Sequence, residues 1–244
     1  ISIIILLFIM NTTKSSNLPV LISGDNHGRY DALFNYLDSY KITDCILIHV
    51  GDGGEGFSSP KKQLKTFEFL NARFSKRNIQ YMSIRGNHSD PAYFKGQIKL
   101  SNFELLEDYT VRELNGEKFL FVGGAVSIDR LFRKQDISYW IDEIFVLDES
   151  KIVECDVLIT HSAPNWIGPC SKEGISNWCD RDPTLWDECL KERRDHNDLF
   201  KLAKPKKSYH GHFHLYTQVE HGGCIATILD ELQVIEHRNN KTLE

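Results

Sequence analysis

Residues 85–94 read RGNHSDPAYF and follow NIQYMSI, a run with the look of a strand. A Gly-Asn-His turn at a strand end presents an amide oxygen and an imidazole together, and both are common metal ligands. Ligand-type side chains also stand at the ends of four other apolar runs. GDNHG offers Asp25 and His27, GDGGEG offers Asp52 and Glu55, THSAP offers His161, and GHFH offers His212 and His214. Asp25, His27, Asp52, Asn87, His161, His212 and His214 together make a mixed nitrogen and oxygen donor set. Such a set suits borderline divalent ions such as Mn, Fe or Zn. No cysteine stands at these positions, which argues against a structural thiolate zinc site. The donors exceed what one tetrahedral ion takes and fit two divalent metal ions sharing a carboxylate. Two ions about 3.5–4 Å apart can clamp a phosphoryl group and bring the pKa of a bridging water near neutrality. In Asp-x-His and His-x-His the ligands are two residues apart, so extended backbone would turn both side chains the same way.

These residues need a scaffold that gathers strand ends. LPVLIS (18–23), CILIHV (45–50) and IQYMSI (79–84) read as buried strands. Between them, residues 31–40 and 61–77 carry apolar side chains at helical spacing, the second with Leu64, Phe67, Leu70 and Phe74 on one face and Pro60 suited to the first turn. This alternation implies βαβ units, and in open α/β sheets ligands gather beyond the carboxyl ends of the strands. Further on, residues 109–125 read as a hairpin over Asn115-Gly116 and 157–160 as another buried strand. Residues 182–203 read as a long helix with Asp182 as N-cap and Pro183 in its first turn. A strand then leads into GHFH, and a closing hairpin turns over Gly222-Gly223. The whole reads as one domain, 18–238, with an amino-terminal segment 1–17 and a tail 239–244.

Taken in order, D-x-H, G-D, G-N-H, a lone His and G-H-x-H resemble the calcineurin-like metallophosphoesterase superfamily, from Pro19 to about Gln233. The resemblance implies an α/β (α+β) fold, a four-layer αββα sandwich of two mixed β-sheets flanked by helices. Carried over by position, it implies that Asp25, His27 and His214 hold one ion and Asn87, His161 and His212 the second, with Asp52 bridging. His88 would stand near the substrate's leaving oxygen as proton donor or transition-state stabiliser. The closest likeness in motif detail is to the serine/threonine protein phosphatase-like branch, whose RGNH run Arg85 shares and where it would bind a phosphate oxygen. In that branch an acid three residues after the bridging Asp orients the catalytic His. Glu55 stands in that place, so a Glu55–His88 pair is expected. Ser89 is a departure: many members place an acid directly after G-N-H, and here Asp90 comes one residue late, where it suits a cap for the following turn.

Outside the motifs, Arg130 and Arg133 are candidates for contact with substrate phosphate. Trp178, in the polar stretch 165–181, is a candidate to stack on a substrate ring, and a long loop there suits a substrate-selecting flap. Single histidines usually have structural roles, and His49, His196, His221 and His237 are read so. The net charge of −5 offers no general attraction to nucleic acid or anionic membrane, although a local patch leaves nucleic acid open. None of the six cysteines forms a C-x-x-C pair, and Cys45 and Cys155 read as buried small hydrophobes; the expected compartment is the reducing cytoplasm. The apolar run ISIIILLFIM (1–10) is far shorter than the ~20 residues of a membrane-spanning helix. It has no basic residue before it, as a signal peptide should. Translation from a start at Met10 is the expectation, with a clipped signal or anchor as the rival.

The functional expectation is a metal-dependent phosphoesterase acting on phosphomonoesters, with attack by a metal-bridging hydroxide. Its substrate partner would be a phosphoprotein, a small phosphoester or a nucleotide. The alternatives are a phosphodiesterase or nuclease and, in another class, a non-catalytic metal-binding scaffold.

Overall fold

The computed structural model describes residues 18–238 and 241–242, so the expected start at Met10 lies outside the described residues. In chain order the elements are β1 (Val20–Ser23), α1 (Tyr30–Ser39), β2 (Cys45–His49), α2 (Pro60–Ser75), β3 (Ile79–Ser83), β4 (Phe103–Leu105), β5 (Thr110–Leu114), β6 (Glu117–Val122), β7 (Val157–Thr160), α3 (Ser176–Cys179), α4 (Leu185–Ala203), β8 (Lys207–His210), β9 (Thr217–His221), β10 (Cys224–Ile228), β11 (Val234–Glu236) and β12 (Lys241–Thr242). They form two six-stranded sheets, in the orders β12-β11-β1-β2-β3-β4 and β5-β6-β7-β8-β10-β9. Both sheets are mixed. β1 to β4 run parallel, β11 pairs antiparallel with β1, and β12 pairs antiparallel with β11. In the second sheet β6, β7, β8 and β10 are parallel, with antiparallel β5 and β9 at the edges.

Alternation along β1 and β2 sets the layers. Val20, Ile22, Ile46 and Ile48 face the other sheet and pack with Phe119, Phe121, Val157, Ile159 and Tyr209. Leu21 and Leu47 point the opposite way, onto Phe34 and Leu37 of α1 and Phe67 and Phe74 of α2. Burial on both faces is why these strands read as unbroken apolar runs. On the far side, Leu120 and Leu158 pack under Leu199 and Ala203 of α4. The result is the αββα sandwich. Among the described residues no helix is long and apolar enough to cross a membrane.

Two local expectations need correction. In α2 the buried face is Gln63, Phe67, Leu70 and Phe74, while Leu64 is 47% exposed. The 4-3-4 spacing of that set follows the helical stripe better, and Gln63 Oε1 accepts hydrogen bonds from the Gly56 amide and the Ser58 hydroxyl. Helix α4 starts at Leu185 rather than beside Asp182, because the Asp182 carboxylate accepts instead from Arg130 and from the Thr184 hydroxyl. The range expected as a tail supplies β12, which pairs with β11. The short strands β4 and β11 were not anticipated. The Asn115-Gly116 turn does have both residues at positive φ, 53° and 82°, as a type I′ hairpin requires. All six cysteines are free, with Cys45 and Cys155 buried.

Candidate metal centre

Parallel strands bring their carboxyl ends to one edge of each sheet, and the two edges meet. β1 exits at Asp25 and His27, β2 at Asp52, β3 at Asn87, β7 at His161, and β8 at His212 and His214. Ligand atoms of Asp25, His27 and His214 lie within 4.8 Å of one another, as do those of Asp25, Asp52 and His161. The Nε2 atoms of His27 and His214 are 3.0 Å apart, and His214 Nε2 is 3.4 Å from Asp25 Oδ2. His161 Nε2 lies 3.3 Å from Asp52 Oδ2. The Asn87 amide oxygen faces His161 Nε2 at 3.0 Å and His212 Nδ1 at 2.9 Å.

The local backbone differs from the extended form expected for the paired ligands. His27, Asp52, His212 and His214 all have positive φ, at 49°, 58°, 70° and 49°. β1 and β8 end before these residues, so left-handed turns, not strands, aim the side chains. A non-glycine residue in that region costs about 1 kcal/mol or more. Four such residues at one spot mark where the fold sustains strain for position. The neighbouring glycines are required by contact. A Cβ on Gly211 would lie 2.1 Å from Asp25 Oδ1, and one on Gly86 would lie 2.0 Å from Asp52 Oδ1.

The electrostatics suit cations. Asp25 and Asp52 are each 1% exposed, and among the described residues neither pairs with a lysine or arginine. Asp25 Oδ1 is buried with no hydrogen-bond partner. Two buried carboxylates without a strong cation are costly unless something positive binds them. Burial alone would raise the Asp52 carboxyl, but His161 and then His88 and His27 hold it well below the usual range. In return Asp52 and Asp25 outweigh burial at His161 and lift its imidazole to about 9. Burial drives His212 well below its ordinary value, and the bond to Asp25 raises His214. A neutral imidazole is ready to ligate. The donor set, the unpartnered Asp25 oxygen and the glycine clearances all fit divalent metal ions.

The remaining expected residues divide. His88 lines the same cleft as Asp52, Asn87 and His212. Its amide donates to Asp52 Oδ1 at 2.7 Å, and its ring lies between those of His27 and Phe57, with centroids 5.3 and 6.4 Å away. Burial lowers the imidazole against the pull of Asp52. Glu55 does not pair with His88. Its carboxylate accepts from Ser89 Oγ at 2.8 Å and from the Tyr30 hydroxyl at 3.3 Å, and burial raises it to about 7. Ser89, the departure from the motif, is thus the partner of Glu55. Asp90 caps the next turn by accepting from the Ala92 amide.

Arg85 is not available to a substrate. It is 6% exposed, bonded to Asp108 and to the carbonyls of Asp142, Glu143 and Ile144. Arg130 is clamped by Asp182, Glu188 and Thr184, and Arg133 bonds Ser127, Glu143 and the Asn87 carbonyl. Arg85 and Arg130 share one cause, acceptors from distant segments that a linear reading does not place beside them, whereas Arg133 is taken up by Asp129 and Glu143 of its own segment. Trp178 does line the cleft. His49, His196, His221 and His237 stand apart from the cluster, on Ser83, Phe145, Trp166 and Tyr209 respectively.

Several neighbours were not foreseen. Ser127 Oγ accepts from the Asn87 side-chain amide at 3.0 Å and donates to buried Glu143, which fixes the amide with its oxygen toward the two histidines. Glu231 lies 3.6 Å from both His27 Nε2 and His214 Nδ1. The cleft encloses roughly 570 Å³, and its outer wall includes Val126, Ile128, Ile175, Trp186 and Leu190. None of these stands in a recognisable motif.

Known proteins provide a comparison for this arrangement. Residues 18–216 match the sequence profile of the calcineurin-like phosphoesterase family. No curated protein matches the chain significantly. Among solved structures, the chain is similar to an archaeal phosphodiesterase at 11% identity, covering 93% of this chain and 98% of that one, with a TM-score of 0.42. It is also similar to a phosphopantetheinyl hydrolase from Mycobacterium tuberculosis at 14% identity, covering 90% and 92%, with a TM-score of 0.43. A protein designated a 5′-nucleotidase from Staphylococcus aureus, bound to α-ketoglutarate, shares 12% identity over 89% of this chain and 49% of its own length, with a TM-score of 0.49.

Proposed function

The chain belongs to the calcineurin-like phosphoesterase family, hydrolases of phosphoric esters, and from that premise we propose that it cleaves phosphomonoesters at a two-ion centre on the strand ends. Asp25, His27 and His214 would hold one ion, Asn87, His161 and His212 the other, and Asp52 both. When bound, the ions supply charge to the phosphoryl oxygens and an activated water for in-line attack. The protein's own groups do the rest. Asp25 and Asp52, both buried and the second held in a left-handed turn, would fix where the phosphoryl group sits. His88 lines the cleft beside them. Burial lowers its imidazole, and a ring N–H could donate a hydrogen bond to the leaving oxygen as negative charge develops.

The observation that carries this reading is the meeting of five strand exits around two buried carboxylates that, among the described residues, no lysine or arginine neutralises. A monoester is favoured because the cleft beside the candidate ligands has room for an organic group, and a monoester carries one. The test is turnover of p-nitrophenyl phosphate against bis-p-nitrophenyl phosphate, with Mn²⁺ supplied and Asp52→Asn as control. Faster monoester turnover that disappears in the variant supports the proposal. A diester preference overturns the monoester assignment, and turnover indifferent to Asp52 overturns the centre.

A further inference from the structure

The cleft has two chemically distinct ends within one cavity. Its floor is Asp52, Asn87, His88, His212 and His214; its wall is Val126, Ile128, Ile175, Trp178, Trp186 and Leu190. The wall residues come from the segment after β6, from the 165–181 stretch with α3, and from the first turns of α4. Their cavity of roughly 570 Å³ lies within the range that encloses most of a small organic ligand.

The positive charge that a polyanionic substrate would need is not offered there. Among the described residues lining the cleft, Arg193 is the only cation. It is 4% exposed, its Nη nitrogens donate to the carbonyls of Pro164, Ile167 and Pro169, and its guanidinium lies over the Phe213 ring at 4.6 Å. Arg130 and Arg133, the nearest candidates by sequence, are held by carboxylates. The wall instead adds two carboxyl groups, Asp129, 3.4 Å from Arg133, and Glu192, which accepts from the Val126 amide. A nucleoside polyphosphate or an acidic phosphopeptide would bring its charges against those groups and strip water from two tryptophans without recompense. An apolar group would release water from both surfaces.

We infer that the substrate carries its phosphoryl group on an apolar alkyl or aryl group, which lies against the wall formed by Ile128, Ile175, Trp178, Trp186 and Leu190. This rests on the phosphoester reading above and extends it to the organic part of the substrate. The wall then acts as the specificity determinant, and the floor is indifferent to what the phosphoryl group is attached to.

The test uses the full chain loaded with Mn²⁺. Butyl, hexyl and octyl phosphonate are titrated by tryptophan fluorescence, and kcat/KM is measured for the matching alkyl phosphates. These have leaving groups of nearly equal basicity, so a chain-length effect reads the wall. Affinity is expected to rise roughly fourfold per buried methylene, with octyl phosphate hydrolysed about tenfold or more better than butyl phosphate. Trp178→Ala should flatten that slope, and Ile128→Asp should do so where the first variant loses its circular dichroism spectrum. A flat series, or AMP or an acidic phosphoserine peptide preferred over octyl phosphate, overturns the inference while hydrolysis itself stands. Tight, length-dependent phosphonate binding without any hydrolysis supports the wall and instead overturns the phosphoesterase reading.

Discussion

The floor and the wall of the cleft are built on different terms. Of the seven residues proposed to hold ions, in and just below the floor, four sit at positive φ, and two glycines stand where a methyl group would collide with a carboxylate. The wall residues have ordinary backbone, none of them at positive φ, and owe their places to packing: Val126 and Leu185, for example, share a cluster with Ile128, Trp178 and Trp186. A site that must hold charges within tenths of an ångström spends backbone strain to do so. A site that must receive an apolar group needs shape and tolerates drift. The floor should therefore respond steeply to small changes, and the wall gradually.

The steepest response is expected from the glycines. Gly211→Ala places a Cβ 2.1 Å from Asp25 Oδ1 and 2.8 Å from Val50 Cγ2, and such a displacement at the reacting centre costs on the order of 10²-fold in turnover. Turnover of p-nitrophenyl phosphate, with circular dichroism to verify folding, measures it. Unchanged turnover would mean the floor is as forgiving as the wall, and the comparison breaks.

Next comes the support beneath Asn87. Ser127→Ala removes the acceptor for the Asn87 amide and leaves Glu143, which burial raises to about 7, without its hydroxyl partner. Groups that orient a ligand typically contribute 10–100-fold in metal affinity. Titration with Mn²⁺ should show about a tenfold loss for one ion and little change for the other. Equal weakening of both ions would argue that Ser127 acts on the fold at large.

A smaller effect is expected from Arg130, which lies beyond the wall. Arg130→Met breaks its pairs with Asp182 and Glu188. Glu188 is 41% exposed, so the cost should be about 2 kcal/mol, below the range for a fully buried pair. At about 2–4 °C per kcal/mol, thermal denaturation should shift by several degrees while KM stays within about threefold. A tenfold rise in KM with an unmoved Tm would restore Arg130 as a phosphate ligand.

The gentlest test is pH. Burial raises the Glu192 carboxyl to about 7, above its ordinary value of 4.5, so the folded chain holds that proton more tightly than the unfolded chain. Its contribution to stability is full below pH 4.5 and is lost as pH rises through 7. Metal-free protein should melt at a lower temperature at pH 8 than at pH 5, and Glu192→Gln should reduce that slope. An identical slope in the variant would place the dependence on other groups.

The same division decides how much could be read from the chain. Each floor residue lies in a short run that ends an apolar strand, so its neighbours in space are announced by its neighbours in sequence. The αββα layers were legible for a similar reason, since strands such as β1 and β2, buried on both faces, leave continuous apolar runs. What failed was any inference that needed a partner from a distant segment. Spacing points Glu55 to His88, yet Ser89 and Tyr30 take its oxygens. Arg85 was assigned to phosphate by its motif, yet Asp108 and the carbonyls of 142–144 hold it. Ile128, Ile175, Trp186 and Leu190 converge only after the segment following β6, the 165–181 stretch and α4 have packed. No local pattern marks them as a wall.

The central claim is that the strand ends hold two ions through a shared Asp52. Metal content by mass spectrometry on Mn²⁺-equilibrated, desalted protein tests it directly, with Asp52→Asn in parallel. Two ions per chain in the native sequence and no more than one in the variant is the expected result. A native chain that retains no ion, or a variant that retains both, would contradict it.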